Sequence, residues 1–97
     1  MAEFLIKRED GRFLELSPEL LGGLATPELV REDGWGTLRL KHAQSGAVVV
    51  ISDEMPGLQV WFEGENIDAA LQRSLADGLA KKINALSGQD VYVIAIG

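Results

Sequence analysis

Cysteine is missing from this sequence. Its absence excludes a disulfide scaffold and every Cys-ligated zinc, haem or iron–sulfur centre. Long apolar runs are missing as well. The longest, Ala47–Ile51 and Val91–Ile96, fall far short of the ~20 residues a membrane-spanning helix needs. Basic charge is scarce and scattered: nine Lys and Arg stand against fifteen Asp and Glu, for a net charge of −6. Nucleic-acid binding draws on a basic stripe that neutralises phosphates, and no run of bases here is longer than the pairs Lys7-Arg8 and Lys81-Lys82. Neither a nucleic acid nor an anionic membrane is therefore expected as a partner.

The short catalytic signatures are also absent. There is no Gly-x-Ser-x-Gly elbow and no Gly-x-x-x-x-Gly-Lys loop, and Gly34-Trp35-Gly36 lacks the third glycine and following helix of a dinucleotide fingerprint. His42 is the only histidine. No nucleophile or metal-ligand spacing accompanies it, so a structural hydrogen bond is its expected role. The acids gather at Asp53-Glu54 and at Glu63-x-Glu65-x-x-Asp68, a spacing unlike that of a calcium loop. No catalytic group, cofactor or metal is expected.

What is present reads as one domain over residues 1–97. Hydrophobic residues make up 46% and charged residues 25%, a globular balance with enough apolar mass for one core. Met1–Arg8 places charge after a short apolar run, the reverse of secretory order. A cytoplasmic location is the expectation.

Arg-Glu-Asp-Gly occurs at 8–11 and again at 31–34. Asp-Gly between apolar stretches is a hairpin signal, because glycine takes the positive φ such turns need. Two hairpins are predicted, about 3–8 with 12–16 and about 28–31 with 37–43. Between them, Ser17 as N-cap with Pro18 and Glu19 in the first turn starts a short helix that Gly22-Gly23 stops. Thr37–Lys41 alternates with period two, Val48–Ile51 is β-branched throughout, and Leu58–Glu63 alternates again. These make a meander.

One long helix is predicted at about 67–86. Asn66 is its expected N-cap and Gly88 its stop. Ile67, Leu71, Leu75, Leu79, Ile83 and Leu86 form the expected apolar stripe. Gly78 beside it suggests close approach to the sheet, and Asp77–Lys81 reads as an i,i+4 ion pair.

The expected fold is α+β: a mixed, mostly antiparallel, curled sheet of five to seven strands with the long helix on one face. Strand 91–96 is expected inside the sheet, parallel to strand 58–63, through a βαβ unit. One helix is about 10–12 Å wide and shields only two or three strands. The rest must be covered by curling, by segment 17–27 or by a partner.

The aromatics bear on function. Trp61 shares strand phase with Gln59 and Glu63, opposite Leu58, Val60 and Phe62. Trp35 follows a turn. Large aromatics on polar faces serve as interface anchors. The expected partner-binding set is Trp61, Trp35, Arg39, Lys41, Gln59 and Glu63. A small acidic non-catalytic protein-binding module is the leading expectation, of the inhibitor or immunity type that plugs a basic enzyme. A self-associating subunit, dimeric through sheet surface, is the alternative. A small enzyme using His42 with Asp53 or Glu63 is the third.

Overall fold

The computed structural model describes residues 3–15, 17–34, 38–54, 57–64 and 67–96. The elements are β1 (Glu3–Arg8), α1 (Pro18–Gly23), β2 (Leu29–Glu32), β3 (Leu38–His42), β4 (Val48–Glu54), β5 (Gly57–Glu63), α2 (Ala69–Ser87) and β6 (Val91–Ala95). They form an α+β fold: one open sheet in the order β2-β3-β4-β5-β1-β6 with α2 packed on it. Every pairing is antiparallel. Among the described residues, no helix is long and apolar enough to cross a membrane.

The meander β2 to β5 follows the sequence signals, and Leu29↔His42 through Glu32↔Arg39 is the register of the expected second hairpin. The first hairpin does not form. β1 is an interior strand, paired with β5 on one side and β6 on the other, so neither edge is left for residues 12–15. That segment turns away at Gly11 (φ 77°). The Gln89 side chain then holds Glu15 at both backbone groups, accepting from its N–H (2.9 Å) and donating to its carbonyl (3.0 Å). Leu14 drops into the core.

The placement of the last strand is a second correction. β6 lies at the edge and pairs antiparallel with β1, not parallel with β5. The β5–α2–β6 connection skips one strand position, and β1 fills it. Because β1 is antiparallel to both neighbours, the sheet is purely antiparallel rather than mixed.

The core lies between the sheet and the helices. Phe4, Ile6, Leu38, Leu40, Val49, Ile51, Leu58, Val60 and Phe62 point from the strands toward Ala76, Leu79, Ala80 and Ile83 of α2. Phe4 and Phe62 meet edge to face, with centroids 6.0 Å apart, a favoured aromatic geometry. The cover that one helix cannot supply comes from Leu14, Leu20 and Leu24, in and around α1. Ser17 caps α1 as expected, its Oγ accepting from the Leu20 N–H at 3.1 Å.

α2 is capped by Asp68, whose Oδ1 accepts from the Leu71 N–H at 2.7 Å; Asn66 lies outside the described residues. Gly88 ends the helix in the left-handed conformation, φ 72°. The buried face is Gln72, Ala76, Leu79, Ala80 and Ile83. This is rotated from the expected stripe: Leu71 and Leu75 are half-buried and Leu86 is exposed. Two alanines at the contact let the helix sit close to the sheet, which swings the longer leucines to the flank. Gly78 has no part in that approach. It is exposed, and a Cβ there would meet nothing within 4 Å. Asp77 pairs with Arg73 at 3.1 Å rather than with Lys81.

Candidate interaction surface

Side chains alternate across a sheet, so the core residues above define a second face turned away from α2. It carries Arg39 and Lys41 on β3, Val48 and Val50 on β4, Gln59, Trp61 and Glu63 on β5, and Glu3 and Leu5 on β1. The registers Arg39↔Val50, Val50↔Trp61 and Glu3↔Trp61 place four of these in one row across four strands. Lys41↔Val48 and Val48↔Glu63 make a second row beside it. Five residues of the expected partner-binding set therefore share one face, as their strand phase requires. Trp35 lies outside the described residues.

The geometry of this face is set by two polar links. The Arg39 guanidinium donates to Glu63 at 2.6 Å and lies 3.6 Å from Glu32. Its side chain is only 10% exposed. The hydrogen bond to Glu63 raises the Arg39 pKa above its ordinary value, so the charge is permanent. Because Arg39 and Glu63 stand on opposite sides of β4, their linked side chains bridge that strand. Val50, on β4 beneath them, is fully buried although it belongs to the face without a helix. The second link joins β5 to β1, where the Gln59 amide donates to Glu3 at 3.1 Å. Trp61 stands half-buried between these links. α2 packs on the other face, while on this one the Gly34 backbone lies against the Arg39 side chain.

Sequence reasoning missed Glu3, Leu5 and Val50 as members of the face. The alternation of Phe4 and Ile6 gives the phase of Glu3 and Leu5, but nothing local says that β1 lies beside β5. Val50 hides within an unbroken apolar run, where no alternation marks a second face.

His42 lies elsewhere. It ends β3 on the helix side, half-buried, and its Nδ1 is 2.7 Å from the Ser45 Oγ across the turn to β4. The same hydroxyl accepts from the Ala47 N–H at 3.2 Å, so the contact orders the turn. The acids suggested for it are not brought near. His42 stands opposite Ala47, and Asp53 is six residues farther along β4, roughly 20 Å away by strand rise. Glu63 projects from the opposite face. His42 instead borders a small cavity of about 260 Å³ with Leu29, Leu75, Gly78 and Lys82. Among the described residues, no group of three His, Asp or Glu side chains is placed to hold a metal ion. Compared with protein-family models, with curated proteins and with solved structures, the chain matches none of them.

Proposed function

We propose that this chain is a small non-catalytic protein-binding module, working in the cytoplasm, whose second sheet face is the docking surface and Trp61 its anchor. One observation carries the reading. A half-buried tryptophan stands on the sheet face opposite α2, in one row with Arg39 and Glu3. The molecule exposes 5505 Å², and a standard interface takes about 800 Å² per partner, so one face of this sheet is sufficient area. Trp is the residue type most often found at interface hot spots, and flanking polar groups exclude water around it. The charges named on the face are mixed and nearly offset, three acids (Glu3, Glu32 and Glu63) against two bases (Arg39 and Lys41). Most of the chain's acid excess, net −6, lies outside these residues and favours a basic partner by long-range steering. An inhibitor of a basic enzyme is the concrete form of this reading.

The test compares proteins retained by the intact chain with those retained by Trp61→Ala, after circular dichroism has shown the variant folded. A basic protein bound by the first and lost by the second, with affinity falling as salt rises, supports the reading. Retention of the same proteins by both ends it. A self-associating subunit is the second reading, and the unpaired edge of β6 is the observation that favours it.

A further inference from the structure

Two strands bound the open sheet, and their chemistry differs. β2 follows Pro27, contains Arg31 and Glu32 and runs into Asp33. Charge and proline along an edge discourage pairing with another chain. β6 reads Val-Tyr-Val-Ile-Ala, with no charge, proline or glycine. Its backbone direction is fixed by the ladder to β1. The Ile96 N–H donates to the Glu3 carbonyl (2.8 Å), and the Glu9 N–H donates to the Asp90 carbonyl (2.9 Å). Antiparallel partners alternate between hydrogen-bonded and non-hydrogen-bonded pairs. Residues 90, 92, 94 and 96 therefore turn their backbone groups toward β1. Val91, Val93 and Ala95 turn theirs outward, where among the described residues no strand receives them.

We propose that β6 is a self-association edge: a second copy of this chain adds its own β6 antiparallel about a two-fold axis through Val93, making one continuous sheet. The strand is self-complementary in that register. Val93 faces the second copy's Val93, Val91 faces the second copy's Ala95, and these outward residues supply about six backbone hydrogen bonds. Sliding by two residues in either direction leaves one of the three pairs outside β6. On the second face, Tyr92 comes opposite the second copy's Ile94, an aromatic with a β-branched residue, which is a stabilising cross-strand pair. Asp90 comes opposite Ile96, so no like charges meet. Beside β6, an open groove of about 400 Å³ is bordered by Asp77, Ala80, Lys81 and Asn84 of α2. It has room for the helix-side Val and Ala side chains of the incoming strand, and its charges are of both signs. Pairing β6 with β2 would instead propagate as an open filament, and the charges on β2 oppose it. The result is a closed dimer.

The inference rests on the edge and not on the Trp61 face, and its test separates the two. The full chain is measured by light scattering after size exclusion, from on the order of micromolar to hundreds of micromolar. Its mass should rise from one chain to two and stop there. Ala95→Pro removes an outward N–H and leaves the β1 ladder intact, since proline is tolerated on an edge strand whose N–H faces solvent. It should weaken the dimer at least about tenfold with an unchanged circular dichroism spectrum. Trp61→Ala should leave the dimer as it is. Should Ala95→Pro fail to fold, Tyr92→Cys combined with Ile94→Cys serves instead. In the proposed register the two positions oppose each other as a non-hydrogen-bonded pair with Cα atoms about 4.5 Å apart, within disulfide reach. The chain has no other cysteine, so mild oxidation should give a covalent dimer. A mass of one chain throughout, an open-ended series of oligomers, a folded Ala95→Pro variant that dimerises as well as the parent, or no covalent dimer from the cysteine pair would each overturn the proposal.

Discussion

Arg39 and Glu63 hold hands across β4: the guanidinium of one reaches the carboxylate of the other at 2.6 Å although a whole strand separates them. The bridge is held from above by Gly34, where a Cβ would stand 2.5 Å from the Arg39 Cδ. A charged pair thus does part of the work that a covering helix does on the other face, screening Val50 with the aliphatic stem of an arginine.

Arg39→Ala and Glu63→Gln should each lower the melting temperature, and the double variant should lower it by less than the sum. A double-mutant cycle in urea reads the coupling. Arg39→Lys should not restore the parent, because an ammonium group lacks the planar fork that meets Glu63 and Glu32 together. Additive losses would mean that the two side chains act independently.

Phe62 and Trp61 are neighbours in sequence and opposites in the sheet. Phe62→Ala opens a cavity beside Phe4 and should cost about 3–5 kcal/mol. Trp61→Ala should cost clearly less, since its ring is half-buried on the other face. Denaturant unfolding of both variants gives the order, and a reversed order would place Trp61 in a packed core.

Gly57 starts β5 against β1, where a Cβ would lie 2.1 Å from the Ile6 carbonyl oxygen. Backbone cannot yield as a flexible side chain does. Gly57→Ala should therefore destabilise by about 3 kcal/mol, the upper range for overpacking. Gly78 predicts the opposite. It is exposed in mid-helix with open space around it, so Gly78→Ala should stabilise by about 0.5–1 kcal/mol. Thermal melts of the two variants should move in opposite directions.

Asp10 accepts a backbone hydrogen bond from Arg12 and is ion-paired to Arg8, and these hold its carboxyl below the usual aspartate value. Its folded-state pKa lies below the unfolded one, so its contribution is full above the ordinary aspartate range. It fades as pH falls through the folded value. Asp10→Asn should flatten the acid limb of the stability profile and leave the slope near neutrality unchanged. The measurement is urea unfolding at a series of pH values.

Much of the candidate surface was legible because period-two alternation is a local property. Leu58, Val60 and Phe62 on one side put Gln59, Trp61 and Glu63 on the other before any tertiary contact is known. The links that shape the surface were not legible. Arg39 meets Glu63, and Gln59 meets Glu3, across separations of 24 and 56 residues, and no spacing rule connects them.

The sequence by itself determined the elements. Ser17-Pro18 starts α1, Gly88 ends α2, and the alternations assign faces to β3 and β5. Each depends on dihedral preferences and hydrogen bonds within a few residues. Only the tertiary structure decided that β1 enters between β5 and β6, which removed the first hairpin and sent the most apolar strand to the edge. It also decided that α2 meets the sheet through Ala76 and Ala80 rather than through Leu71 and Leu75. Both outcomes follow from competition for the same space. A strand has two edges, and whichever partners bury the most apolar surface while satisfying every backbone group take them. That contest is settled by the whole chain at once, so its result is written in no single segment.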